Sequence, residues 1–297
     1  MNRNPLYSVE DITRTYEKVH DHKSTKNIIT RYSTNRNDVR EIALSDIDLS
    51  WVNTVLDLGC GYGLFEEKLK GRLAHNASIT GVDIVDSNEV TFLKIVKDCG
   101  YSGIFLRDGA DVIKTINSQT YDLIIASYSL YFFPHLIEDI SRILKSNGIF
   151  IAITHSRDSL KEITDLIPYS MEHTGITAPG EFAINKLLKA FCLEDGYQRL
   201  KPHFEKVEML PYNNAMLFSP DDISDCVEYI AKKRPLLFKD IIDSYPQKIK
   251  DIEDHFYKRL LEQTVSKGLL SVTKDDAIFR GFNPLSGTNK TSRREGL

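Results

Sequence analysis

Apolar residues change their spacing several times along this chain, and the changes divide it into segments. Val9, Ile12, Tyr16 and Val19 recur at three- and four-residue steps, which predicts an amphipathic helix over residues 8 to 20. Residues 21 to 34 are polar without a period and read as irregular; a second helix is expected from about Asn37 to Ala43. From Val52 to Leu58 the pattern becomes a short, largely apolar run ending at glycines, as in a strand buried on both faces. Phe65, Leu69 and Leu73, at i, i+4 and i+8, predict a helix directly behind those glycines. Strands are then expected at Ser78 to Asp83, Ile104 to Arg107, Tyr121 to Ser127 and Ile149 to His155, the last after an Asn147-Gly148 turn. Helices at Glu89 to Cys99, Asp111 to Ile116 and Leu136 to Leu144 alternate with them. Such alternation builds an α/β layer structure, a doubly wound sheet that is mostly parallel.

Beyond residue 156 the alternation stops. Residues 157 to 196 read as mainly helical around Pro179-Gly180, and Phe204 to Phe218 as holding a strand. Ile223, Val227 and Ile230, then Ile252, Phe256 and Leu260, mark charged helices between about 221 and 266. Leu269 to Phe282 reads as a final strand, so two late strands would bring the sheet to seven. The expected divisions are an N-terminal helical segment (1–50), a ligand-binding core (51–156), a helical insertion (157–202), and the final strands (203–285). That last part carries a second helical insertion at about 219–267, and a polar tail (286–297) is expected to be disordered.

Composition narrows the function classes. With 38 basic and 42 acidic residues the net charge is −4, and 41% of residues are hydrophobic. This suits a globular chain with ample core and lacks the electrostatic footprint of a general nucleic-acid binder. The apolar run Leu123 to Phe133 is about half the length of a bilayer span, and no secretory signal is readable, so a cytoplasmic location is expected. Cys60, Cys99, Cys192 and Cys226 make no CxxC pair, which argues against a zinc knuckle or disulfide scaffold.

The candidate chemistry begins at Val55-Leu56-Asp57-Leu58-Gly59-Cys60-Gly61-Tyr62-Gly63. Glycines at a strand-to-helix junction permit a tight turn and close approach of a ligand to backbone N–H groups. The dinucleotide pattern GxGxxG would need glycine where Leu64 stands, and no GxxxxGK[ST] is present. Asp57 precedes the first glycine, Asp83 ends the next strand 24 residues after Gly59, and Asp108 ends the third before Gly109. Asp83 occupies the place where this topology grips a ribose diol. Acids and backbone amides without a phosphate-binding lysine suit a nucleoside with an amino acid tail and a positive centre. Either aspartate flanking the strands, Asp57 or Asp108, would otherwise serve as a helix cap.

With Gly81-Val82-Asp83, Arg107-Asp108-Gly109-Ala110 and Tyr121 to Ser127 in the same order, residues 52 to 155 resemble the class I S-adenosylmethionine-dependent methyltransferases. The resemblance implies a Rossmann-like fold with helical cap insertions and S-adenosyl-L-methionine as cofactor. It implies Gly59, Gly61 and Gly63 along the methionine side and Asp57 near the amino group. Asp83 with Ile84 would serve the ribose, Asp108 with Gly109 the adenine, and Ser127 the methyl donor. A second resemblance, to histamine N-methyltransferase and its relatives, rests on Ser129-Leu130-Tyr131-Phe132 and Asp222-Ile223-Ser224-Asp225-Cys226. It implies a small polar or amine acceptor under a helical cap, with Tyr131 and Phe132 at its pocket.

Among groups able to act on an acceptor, His155 at the end of the fifth strand is the best-placed general base, against a purely structural role. Tyr131 offers a hydrogen-bonding phenol. Tyr128, Tyr131 and Phe132 would wall the acceptor pocket, with Phe133 equally suited to plain packing. Tyr16 and His20 share a helical face that would cover the cofactor, and Tyr16 is taken as a substrate contact. His135 reads as a surface residue, Cys60 and Tyr62 as loop filler, and Lys232-Lys233-Arg234 as a solvated helix end. Ser127 stands where metal-dependent relatives place an acid, so no metal is expected. The reading is a methyltransferase acting on N or O of a small molecule, with no nucleic acid or membrane partner. A protein or RNA acceptor, or a silent cofactor-binding module, stays open as the alternative.

Overall fold

The computed structural model describes residues 6–285. Nine strands occur in chain order: β1 (Thr54–Leu58), β2 (Ser78–Asp83), β3 (Ser102–Arg107), β4 (Tyr121–Ser127), β5 (Leu144–His155), β6 (Phe204–Tyr212), β7 (Ala215–Phe218), β8 (Leu270–Thr273) and β9 (Asp276–Pro284). Seven form one sheet in the order β3-β2-β1-β4-β5-β9-β6. β1 runs parallel to β2 and β4, β2 to β3, and β4 to β5, giving the Rossmann-like core that the alternation predicts. Val55, Leu56, Leu58, Leu123, Ile124 and Ile125 are wholly buried, which is why β1 and β4 read as unbroken apolar runs. Each such side chain contributes roughly 1.5–3 kcal/mol on burial.

Several elements depart from the periodicity. Residues 21 to 34 are not irregular: a helix spans Val19–Tyr32 and buries Thr25, Ile28 and Tyr32 on one face. The helix expected behind the glycines shrinks to a single 3-10 turn, Glu66–Leu69, with Gly71 following at φ +72°. Asn147-Gly148 lies within β5, where the pairing jumps from Tyr121↔Leu144 to Leu123↔Ile149. This bulge absorbs the two turn-forming residues without ending the strand. The two late apolar stretches each divide: β6 and β9 join the main sheet, whereas β7 and β8 form a separate antiparallel pair. The tail expected to be disordered lies outside the described residues.

The chain forms two compact units. Among the described residues one comprises 37–154, 190–211 and 277–285 and holds nearly all of the seven-stranded sheet. The other gathers residues 6–36, 155–189 and 212–276 and is mainly helical, with Ile28, Ile167, Met171, Ile230, Ile252, Phe256 and Leu260 in its core. Among the described residues no helix is long and apolar enough to cross a membrane.

Candidate active site

In the sheet unit, the ends of β1 and β2 are locked together by the glycine turn. Gly59 and Cys60 donate backbone N–H bonds to the Val82 carbonyl at 2.8 and 3.2 Å, and Gly61 N–H donates to Asp83 Oδ2 at 2.8 Å. Gly59, Gly61 and Gly63 have φ of +75°, +52° and +96°, a region side chains resist. A Cβ on Gly59 would lie 2.5 Å from Ser129 Cβ, whereas one on Gly61 would meet nothing within 4 Å. The first glycine is therefore required by packing, and the second leaves open space over the backbone for a ligand. Gly59→Ala should thus lower the melting temperature more than Gly61→Ala, by roughly the 1–3 kcal/mol typical of overpacking. Equal melting temperatures in thermal denaturation would remove this distinction.

Three acids gather under the turn. Asp57, on β1, is 1% exposed, and Glu66, on the 3-10 turn, is fully buried. The two carboxyls lie close enough to hydrogen-bond to one another and for their charges to couple, and no cationic side chain meets them among the described residues. Burial, then the Glu66 charge, pushes Asp57 well above the usual carboxylate range; burial pushes Glu66 up to about 7. Asp83 is raised chiefly by burial, opposed by the N–H groups of Val85 and Gly61. Among the described residues none of the three pairs with a lysine or arginine. Such a pocket favours a cation. Glu66 was not among the residues singled out in the sequence, because its neighbour Glu67 is exposed and nothing in the charge pattern says which of the two turns inward.

The raised Glu66 has a consequence for stability. Between its ordinary value near 4.5 and about 7, the folded chain holds a proton that the unfolded chain has released. Stability therefore falls as pH rises through that window. Glu66→Gln should flatten the decline in melting temperature of the ligand-free protein between those pH values. The same slope in both proteins would show that Glu66 ionises freely.

The other sheet-unit candidates stand at neighbouring strand ends. Ile84 is half-buried, Asp108 is exposed, and Asp108 Oδ1 accepts from Gly109 N–H at 2.7 Å. Ser127 is half-buried at the end of β4, opposite Ile153 of β5. Tyr128 follows with φ +57°, its N–H donating to the Ile153 carbonyl at 2.8 Å. A bulky residue held in that left-handed conformation marks strain at the strand end. Ser129 is buried with its hydroxyl donating to the Leu58 carbonyl at 2.5 Å. Tyr131 is buried and Phe132 half-buried, their rings 4.9 Å apart. Burial raises the Cys60 thiol far above its usual range, which suits packing and not nucleophilic chemistry. His135 is exposed, with Nε2 3.2 Å from Asp111.

Tyr16 and His155 belong to the helical unit. His155 Nδ1 lies 2.7 Å from Asp276 Oδ1 and 3.1 Å from Lys274 Nζ, and Lys274 Nζ lies 3.2 Å from Asp276 Oδ1. Asp276 accepts from Nδ1 when that nitrogen carries the hydrogen, and the Lys274 ammonium donates to it when it does not, so each tautomer finds a partner. Burial, then the Lys274 charge, lowers the imidazole below its ordinary value, opposed by the Asp276 carboxylate. Backbone bonds hold this group in place: Ser156 N–H to the Asp275 carbonyl and Lys274 N–H to the Asn214 carbonyl. Asp276 and Lys274, 121 and 119 residues from His155, carry no local sequence signal that connects them to it. His20 is exposed, with Nδ1 3.7 Å from Asp21.

Buried carboxyls without a cation and open space above Gly61 fit a ligand that brings an ammonium and a sulfonium. The parallel sheet and these strand-end acids define a class I S-adenosylmethionine-dependent methyltransferase. Residues 20–195 match the model of a family described as "Methyltransferase domain", more than half of the chain, and the protein belongs to that family. Its cofactor is S-adenosylmethionine. A protein from Bacillus halodurans C-125 classed as a methyltransferase shares 13% identity at a TM-score of 0.50, covering 84% of this chain and 100% of that one. The cyclopropane synthase MmaA2 from Mycobacterium tuberculosis is similar at 11% identity and a TM-score of 0.46, over 94% of this chain and 100% of that one. A methyltransferase from Aquifex aeolicus dependent on the same cofactor shares 18% identity at a TM-score of 0.37, over 47% of this chain and 75% of that one. A search of curated proteins returned no sequence match.

Proposed function

We propose that this methyltransferase acts on a nitrogen or oxygen of a small molecule, with His155 as the general base. The observation that supports this reading is the 2.7 Å contact of His155 Nδ1 with Asp276, which orients the ring and favours the imidazolium that a general base becomes. S-adenosylmethionine, when bound, supplies the methyl group as an electrophile on sulfur. Asp57 and Glu66 would hold its amino group, Asp83 its ribose hydroxyls, and the Gly59–Gly63 backbone would line its methionine side. The acceptor atom must be aligned for in-line displacement and, if it carries a hydrogen, relieved of a proton. The His155 imidazole takes that proton, and Asp276 stabilises the imidazolium that results. Tyr128, Tyr131 and Phe132 exclude water from the acceptor, and Tyr131 can orient it through its phenol.

The mild acidity of the chain supports a small acceptor over nucleic acid. The test is release of S-adenosylhomocysteine by the full chain when supplied with either the dialysable or the retained fraction of a cell extract. Turnover with the dialysable fraction is expected; turnover with the retained macromolecules alone would replace this reading with a protein or RNA acceptor.

A further inference from the structure

Asp57 on β1 and Glu66 on the Glu66–Leu69 turn are both buried, and their carboxyls face each other within hydrogen-bond reach. Among the described residues no other group donates a hydrogen bond to Asp57 Oδ1 or to either Glu66 oxygen. Two ionised carboxylates repel at this range and offer only acceptors, so a bond between them requires a hydrogen. A pair that holds one proton keeps one hydrogen bond and one charge; a pair that holds none keeps two bare charges away from water.

The surroundings favour the proton. Asp83 faces the pair from the end of β2 and adds negative charge. Glu67, the exposed neighbour of Glu66, adds more. The thiols of Cys60 and Cys99 stand beside these acids, with Cys99 Sγ donating to the Glu66 carbonyl at 3.4 Å. Burial raises both thiols, which stay uncharged near neutral pH. Lys68, two residues beyond Glu66, is held by Asp38 at 3.2 Å and Glu41 at 3.1 Å. Every charge that acts on the pair from the described residues is negative, which retains the proton until a cation arrives.

We propose that Asp57 and Glu66 share one proton in the ligand-free protein and release it to solvent when the ammonium of the cofactor binds, so that cofactor binding is proton-linked. This rests on the placement of the amino group at these two acids, given above, and adds how pH governs the same site. The ammonium donates to the oxygens that the proton bridged and supplies the positive charge that a second carboxylate needs. Burial pushes Glu66 up to about 7, so the exchange falls close to neutrality. Below that value the ammonium competes with the proton, and affinity should rise about tenfold per pH unit toward it. Above it no proton is left to displace, and affinity levels off.

The test is calorimetry of the full chain with S-adenosylhomocysteine at about pH 6 in phosphate and in imidazole, buffers whose ionisation heats differ, so that the difference in apparent heat counts protons. Wild type should release close to one proton. A deaminated analogue of S-adenosylhomocysteine, which brings no ammonium, should release none. Glu66→Gln should release none with either ligand, and its affinity should be flat over the pH range in which that of wild type climbs. The wild-type and analogue measurements decide the matter even where the variant does not fold. Binding without proton release, equal release with the analogue, or a wild-type pH slope in Glu66→Gln would overturn the shared proton and leave the cofactor site standing. Absence of S-adenosylhomocysteine binding at every pH would overturn both.

Discussion

His155→Ala is expected to lower kcat about 10²–10⁴-fold, the range of a lost general base, while the affinity for S-adenosylmethionine stays unchanged. The split follows from where the residue stands. His155 belongs to the helical unit, whereas the acids and glycines assigned to the cofactor belong to the sheet unit. Because burial and Lys274 hold the imidazole below its ordinary value, the acid limb of the kcat/KM profile should lie below about 6.5. Asp276→Asn should lower the rate less than His155→Ala. It also leaves Lys274 without its carboxylate, so the acid limb should move further down. Steady-state kinetics across pH, with calorimetry for the cofactor, separates these outcomes. A His155→Ala enzyme with wild-type kcat would reduce the residue to scaffold.

Asp83→Ala should weaken S-adenosylmethionine binding about 10²–10⁴-fold. Two ribose hydroxyls donating to a carboxylate contribute roughly 1.5–3 kcal/mol each, and each 1.4 kcal/mol is tenfold in affinity. The carboxylate also accepts from Gly61 N–H and Val85 N–H, both at 2.8 Å, so its loss loosens the turn that would line the methionine side. Asp83→Asn, which keeps the shape and one acceptor, should fall between the two. Unchanged affinity of Asp83→Ala by calorimetry would remove this residue from the site.

The legible part of the fold was the part whose burial is uniform. β1 and β4 are buried on both faces, so Val55 to Leu58 and Leu123 to Ala126 declare themselves as apolar runs. Positive φ at three closely spaced glycines made the turn legible as well. The Val19–Tyr32 helix was hidden because its buried face includes Thr25, a polar residue that breaks the apolar period. Glu66 was hidden for a related reason: it sits beside Glu67, and only the three-dimensional path of the chain decides which of the two turns inward. The contacts of His155 with Asp276 and Lys274 depend on strands far apart in sequence, beyond the reach of any local pattern.

The central claim is that the acids and glycines at the ends of β1 and β2 hold the cofactor. A crystal structure of the full chain with S-adenosylhomocysteine tests it most directly. The account predicts the amino group at Asp57 Oδ1 and Glu66, and both ribose hydroxyls on Asp83. The cofactor backbone should follow Gly59 to Gly63. A nucleoside bound elsewhere, with no ammonium at Asp57 and Glu66 beneath the turn, would contradict it.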